Sequence, residues 1–452
     1  MNITKEETGD LTATIKIEVQ EDDYKDSVKK VLKDYQKKAN MPGFRPGKVP
    51  YGIINKMYGK PVIADEVNKL ISDSLNNYLQ ENKIEVLGHP IANSEKTKPI
   101  DFEHDKSFSF YFDIGMAPEV GLELSDKIKI DYHDIKVDQK TLDKFLDDIR
   151  KRNGTHVHPD SSEEGDIVRG QMTELDEDGN TKENGIDVET SLLTDFIKLK
   201  SVKKEMIGLS KDDEVVFNPL KATKNETETA SMLNIKKEEL KEHDNDFRFK
   251  VTEITRNEPA GMGKELYDKV YPNAGIEDED QFRERLKEDI KKSLEAESDR
   301  EFFNRASDVL IEKADLKLPD EFLKTWLTEH NEKKLTREQI EKDYDEYAKS
   351  LKWQLIQNKI IKENDLKVEE SDIKSFIKQY FLNQAPGQEI TEEREQQLDG
   401  IVEAVMQNKE EVQKINEQLY DQKIKDKIKS TVKLNKKSIG YDDFVKLAEE
   451  KK

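Results

Sequence analysis

Cysteine is absent from this chain of 452 residues, which removes disulfides, thiol catalysis and Cys-ligated metal together. No stretch approaches the roughly 18 uninterrupted apolar residues of a membrane span. Met1-Asn2-Ile3-Thr4-Lys5-Glu6-Glu7 lacks the basic start and apolar run of a secretory signal peptide. These absences predict a cytoplasmic protein with no membrane partner. Hydrophobic residues are also scarce, 34% against 38% charged, so less apolar surface than usual is available for burial. A chain this long still exceeds one core and implies two to four domains.

Positive charge is outnumbered, and the formal net charge of −22 argues against a general nucleic-acid binder, because phosphates would be repelled by most of the surface. One stretch departs from this. Tyr24 to Lys60 carries ten Lys or Arg against Asp26 and Asp34, a local balance of +8. Inside it lies Met41-Pro42-Gly43-Phe44-Arg45-Pro46-Gly47-Lys48-Val49-Pro50, an aromatic and two cations on a turn stiffened by three prolines and two glycines. Proline fixes φ and glycine permits positive φ, so the segment ends the helix before it and forms a rigid connection. Taken alone, such a turn reads as a helix-helix loop with Phe44 tucked into a core, or as an exposed docking tip.

The string G-F-R-x-G-x-x-P after a Lys-rich helix resembles the ribosome-docking signature of the bacterial trigger factor family. Ile53-Ile54-Asn55-Lys56-Met57-Tyr58-Gly59 and Ala64-Asp65-Glu66-Val67 look like that family's next helix, and Phe108 to Ile114 like its strand before Ala117-Pro118-Glu119-Val120. Leu318-Pro319-Asp320-Glu321-Phe322 and Leu366 to Ile373 are similar to helix starts in its C-terminal region. The resemblance implies an ATP-independent chaperone that binds nascent chains, with the ribosome at the exit tunnel (protein and RNA) and unfolded polypeptides as partners, and it admits a homodimer. It places ribosome contact at Gly43, Phe44, Arg45, Pro46, Gly47 and Lys48. Clients would be held in a cradle of helical arms by Phe302, Phe303, Phe322, Trp326, Trp353, Phe381 and Met406, with Tyr380 beside them. Each of these at helical spacing also reads as ordinary core.

The expected fold class is α+β multidomain. A ribosome-binding domain (1–120) holds a strand over 11–19, a helix over 24–39 with apolar positions 24, 28, 31, 32 and 35, a helix from Ile63 to Asn82, and alternating segments near Ile91 and over 107–114. A linker with a short helix, Leu142 to Arg152, spans 121–160, and Gly154-Thr-His-Val-His-Pro marks its boundary. A mostly β middle domain fills 161–256, with strand pairs at 165–172, 214–217 and 247–254 and a hairpin signal at Asp176-Glu-Asp-Gly179-Asn180. Helical arms make up 257–452, where Phe282, Leu286, Ile290 and Leu294 repeat every four positions and breaks fall at Pro319, Asn364 and Pro386-Gly387.

The middle domain sits where the family keeps an FKBP-like prolyl isomerase, and Gly165 to Val168 and Phe247 to Val251 resemble its opening and closing strands. Prolyl isomerase activity is therefore the rival function. The family's Val-Ile-Pro-Gly-aromatic turn corresponds to Ser201 to Leu209, which lacks the Pro-Gly-aromatic step, and Phe196 and Phe217 are the only aromatics between 165 and 246. Two rings cannot line the usual pocket, so a poor isomerase is expected, with catalytic residues unassigned. Metal and nucleotide cofactors are not expected. Asp176-x-Asp178-Gly179 lacks the EF-hand spacing, His156 and His158 have no third ligand, and no His-Glu-x-x-His, Walker A or G-x-G-x-x-G string occurs.

Overall fold

The structure, a computed structural model, describes residues 1–102, 104–330, 335–384 and 391–449. It begins with a hairpin. Strand β1 (Asn2–Gly9) pairs with β2 (Thr12–Val19) from Asn2↔Glu18 to Glu7↔Ala13. The sequence reading found β2 and not β1, because β1 carries a single apolar residue, Ile3, and shows no alternation. Helix α1 (Glu21–Lys38) follows, with Asp23 accepting from the Gln20 N–H at 2.8 Å and Lys37 and Lys38 complementing the dipole of the last turn.

Helix α2 (Tyr51–Glu81) begins twelve residues earlier than expected and runs through Pro61. An interior proline removes a donor at a cost of roughly 3 kcal/mol. Ile54 on one side and Val62, Val67, Ile71, Leu75 and Leu79 on the other are all buried, and their packing holds the helix continuous. Two more strands, β3 (Ile91–Ala92) and β4 (Phe108–Gly115), complete an antiparallel sheet of order β1-β2-β4-β3. Ala13, Ile15, Ile17 and Val19 turn one face of β2 onto α1 and α2, and their common core is the helix-on-sheet arrangement of an α+β domain.

Strand β5 (Lys129–Lys136) leads to α3 (Gln139–Arg152), capped by the Asp138 carboxylate, which accepts from Thr141 N at 2.8 Å. Thr155–Val157 is strand β6 and not a boundary turn, since it pairs with the end of β10 (Phe247–Glu258) at Arg256↔Val157. Between them come β7 (Ile167–Glu174), β8 (Asp187–Leu193), α4 (Lys200–Glu205), β9 (Glu214–Phe217), α5 (Pro219–Thr223) and α6 (Glu226–Leu233). The sheet order is β6-β10-β7-β8, with β9 also on β10 through Phe247↔Phe217. The Asp176 turn forms as read: Asp178 and Asn180 donate their N–H groups to its carboxylate.

Beyond β10 the chain is helical, as α7 (Lys264–Val270), α8 (Glu279–Ala314), α9 (Asp320–His330), α10 (Arg337–Glu363), α11 (Glu370–Gln384), α12 (Glu392–Gln407), α13 (Lys409–Thr431) and α14 (Tyr441–Glu449). One strand, β11 (Lys433–Gly440), interrupts the expected all-helical region. Pro319 precedes α9 and Asn364 caps α10 as anticipated, while the Pro386-Gly387 break lies outside the described residues.

The chain forms two compact units, each discontinuous in sequence. One comprises Met1–Asp131, Phe302–Glu369 and Asn416–Asn435, and the other Tyr132–Glu301, Glu370–Ile415 and Lys436–Lys452. In the first, Phe322, Leu323 and Tyr344 join Leu87 and Ile91 in one cluster. In the second, Phe282, Leu286, Ile290 and Leu294 pack with Leu142 and Phe444.

Candidate functional site

The turn between α1 and α2 is fixed by backbone hydrogen bonds: Phe44 N–H to Met41 O at 3.1 Å, Gly47 N–H to Ala39 O at 3.0 Å and Lys48 N–H to Arg45 O at 2.9 Å. Gly43 and Gly47 have φ of +87° and +75°, and a Cβ at Gly47 would stand 3.0 Å from Lys37 O. Only glycine fits there without strain. Val49 is buried and its carbonyl accepts from Gln36 Nε2 at 2.7 Å, which fastens the turn to α1.

Held this way, Phe44, Arg45, Pro46 and Lys48 are exposed. Phe44 is 38% exposed, which excludes the buried-loop reading. Neither Arg45 nor Lys48 has a carboxylate partner among the described residues. The nearest acid in sequence, Asp34, is engaged by Lys37 at 2.8 Å, and that bond holds its carboxyl below the usual range. Tyr35 was expected on the apolar face of its helix but is 47% exposed, stacked on Tyr58 of α2. A pair 23 positions apart gives no local sequence signal.

The client candidates separate by burial. Phe302 is fully buried, with Ala306 and Leu310 one and two turns on and equally buried, so it is core and has no surface to offer. Phe322, 9% exposed, sits on Gly115, and Trp326 lies over Gly88, both as packing within their unit. Phe303 and Trp353 are half-buried and meet edge to face at 5.6 Å. Trp353 opens onto a groove of about 510 Å³ with Tyr347, Leu351, Ile361 and Tyr420. Phe381 and Met406 are half-buried, and Phe381 stands edge-on to Tyr380, which is 54% exposed. Phe381 lines a second groove, about 430 Å³, with Arg394, Leu398 and Ile401. Each groove is lined by a mixture of apolar, polar and charged side chains.

In the middle module the turn into a short helix lies at Phe196-Ile197-Lys198-Leu199, and α4 occupies Lys200–Glu205. The placement of that turn at Ser201 to Leu209 is thereby corrected. The Pro-Gly-aromatic step is absent here as well. Both Lys198 and Leu199 donate N–H groups to Ala222 O, at 2.7 and 3.0 Å, so the chain's own α5 covers the turn. Ile197, Met206, Phe217, Met232 and Phe249 fill the space beneath as one core. Phe196 points the other way, 45% exposed. A groove of about 710 Å³ in this module is lined by His158, Arg169, Glu189, Lys211 and Glu253, charged groups and not an aromatic prolyl pocket.

The module's strongest polar feature went unpredicted. Glu174, buried at the end of β7, accepts from Lys182 Nζ at 2.6 Å, Asn245 Nδ2 at 2.7 Å, His243 Nδ1 at 2.8 Å and Ile186 N at 2.9 Å. Burial alone pushes its carboxyl up, but these donors outweigh burial and bring it down to about 2. Among the described residues no group of three His, Asp or Glu could hold a metal ion, and no helix is long and apolar enough to cross a membrane. His158 faces Glu253 at 3.2 Å, and His156 pairs across the strand with Asn257.

Comparison with known proteins bears on all three regions. Residues 1–149 match the family model "Bacterial trigger factor protein (TF)", 156–259 "Probable trigger factor, FKBP-like domain", and 298–448 "Probable trigger factor, C-terminal domain". A trigger factor of Pelagibacter ubique (strain HTCC1062) is 24% identical over 462 positions, covering 100% of this chain and 90% of that one. One from Marinobacter nauticus (strain ATCC 700491 / DSM 11845 / VT8) is 22% identical, covering 98% of each. A solved structure reported under promiscuous substrate recognition by the trigger factor chaperone superimposes with a TM-score of 0.48 at 16% identity over 95% of this chain and 99% of that one, too loosely to carry an argument about shape.

Proposed function

This chain belongs to the bacterial trigger factor family, and from that membership we infer its work: it is an ATP-independent, ribosome-associated chaperone that binds nascent chains and assists their folding. Docking uses Gly43, Phe44, Arg45, Pro46, Gly47 and Lys48, beside the exit tunnel and in the cytoplasm, on ribosomal protein and RNA. The observation that carries this reading is the rigid turn that exposes Phe44 beside two unpaired cations. The working division is 1–120 for docking, 121–160 as linker, 161–256 as the FKBP-like module and 257–452 for clients. Among the client candidates, Trp353 and Phe381 line the two grooves and Phe303 and Met406 are half-buried, and these four carry the holding function, whereas Phe302 does not.

Co-sedimentation with ribosomes tests the docking reading. Replacing Phe44 and Arg45 together by alanine is expected to weaken binding about tenfold or more, given typical interface anchors of 1–2 kcal/mol each, and wild-type binding should fall as salt rises. Unchanged co-sedimentation of the double variant would sink the proposal. For the isomerase alternative, a protease-coupled assay on a Pro-containing tetrapeptide is expected to show little acceleration by the full chain. A filled core offers no dry hollow in which the twisted X-Pro bond is bound better than the planar one, and the barrier of roughly 18–20 kcal/mol stays in place. A robust rate enhancement would reverse that assignment.

A further inference from the structure

Among the described residues twelve large apolar side chains stand out as exposed, and five of them, Tyr35, Phe44, Tyr51, Met57 and Tyr58, fall within 24 consecutive positions on the docking turn and the two helices that carry it. Phe44 belongs to the tip already assigned. Tyr35 and Tyr58 do not: they lie on the stem, on α1 and α2, with ring centroids 5.3 Å apart and planes at 11°.

Stacking occupies one face of each ring and leaves the outer faces open, and the residues remain 47% and 38% exposed. Neither phenol oxygen has a hydrogen-bond partner among the described residues. A ring pair that serves packing alone is buried in this domain, as Tyr24 of α1 is against Phe108 of β4. The surrounding chemistry is cationic. Lys38 lies one turn beyond Tyr35 on the same side of α1, exposed and without a carboxylate partner among the described residues, while Lys56 and Lys60 project from other sides of α2. An open aromatic face with Lys38 one turn away, on a basic stretch of an otherwise acidic chain, is the combination that holds an unpaired nucleotide: the base stacks and the cations of the stretch neutralise neighbouring phosphates.

We propose that the Tyr35–Tyr58 stack is a second ribosome contact, separate from the Phe44-Arg45 tip, on which an unpaired base of ribosomal RNA stacks. The proposal rests on the docking reading above and names the partner of the stem. A protein partner is disfavoured by the charge pattern, which matches a polyanion.

The test uses the full chain and intact ribosomes, with two readouts: affinity, and a chemical footprint of ribosomal RNA that reports the reactivity of each nucleotide. Four forms are compared: wild type, Tyr35→Ser with Tyr58→Ser, Tyr35→Phe with Tyr58→Phe, and Phe44→Ala with Arg45→Ala. The serine pair should lose about tenfold in affinity, the scale of one stacked base, and should free a small set of nucleotides that wild type protects. The phenylalanine pair, which keeps both rings, should restore both readouts. Because the two rings are half exposed, the serine pair is expected to melt close to wild type, and the phenylalanine pair keeps the test decisive if it does not. Identical footprints for the serine pair and wild type overturn the proposal, as does an affinity loss with no change at any nucleotide, which would assign the stem to ribosomal protein. Failure of the docking reading registers separately, as unchanged binding by the alanine pair.

Discussion

Phe302→Ala is expected to destabilise the unit that contains it by about 3–5 kcal/mol, the range for removing a fully buried ring. The side chain has no exposure, and Ala306 and Leu310 continue the same buried stripe along α8. A loss of that size shifts the denaturant midpoint visibly, since it is a large fraction of a typical domain's stability. Client holding should fall only as far as the unit unfolds. Replacing Trp353 by alanine gives the contrast, because Trp353 lines an open groove: aggregation suppression should drop while the midpoint moves less. A Phe302→Ala protein with a midpoint near wild type and weakened holding would return Phe302 to the client surface.

Glu174 gives the second large effect, and it depends on pH. Its folded pKa of about 2 lies below the ordinary glutamate value of 4.5. A carboxylate depressed on folding adds stability above the unfolded pKa and loses it as pH falls through the folded one. The difference corresponds to about 3 kcal/mol at neutral pH, of which roughly half or more should be gone by pH 3. Glu174→Gln removes the charge that Lys182 and His243 face. Hydrogen exchange of β7 and β10 amides should therefore show a wide gap between wild type and variant at pH 7 that narrows on acidification. A gap of constant width between pH 7 and pH 3 would assign the cost to packing.

What the sequence disclosed and what it hid follow a physical division. Gly43 and Gly47 were legible because turn chemistry is local and positive φ demands glycine, whereas the same turn reads equally as a loop with Phe44 tucked into a core, and only the family resemblance pointed to an exposed tip. The helices after Glu258 were legible because Phe282, Leu286, Ile290 and Leu294 repeat at helical spacing. Burial was less so. Phe302 and Phe303 are neighbours of one type, yet one is sealed and the other meets Trp353, 50 residues away. The Glu174 cage draws donors from positions 182, 186, 243 and 245, a set that no spacing rule joins. The helix read from Ile63 to Asn82 starts at Tyr51 and runs through Pro61, because tertiary packing sustains what local propensity opposes.

The hairpin at the start of the chain bears on a hazard peculiar to this trade. A protein that spends its working life beside unfolded polypeptide is continuously offered strands, and β1 is the outermost strand of its sheet, eight residues long, with one side of its backbone free. Unpaired backbone of that length is a template onto which a client could polymerise. Lys5, Glu6 and Glu7, all exposed along β1, give any approaching strand charges of both signs to desolvate, and the irregularity between Glu7 and Gly9 breaks the register a longer ladder would need. At the opposite border β3 is only two residues long. The sheet thus keeps its own borders from becoming a seed for strand addition by the polypeptides beside it.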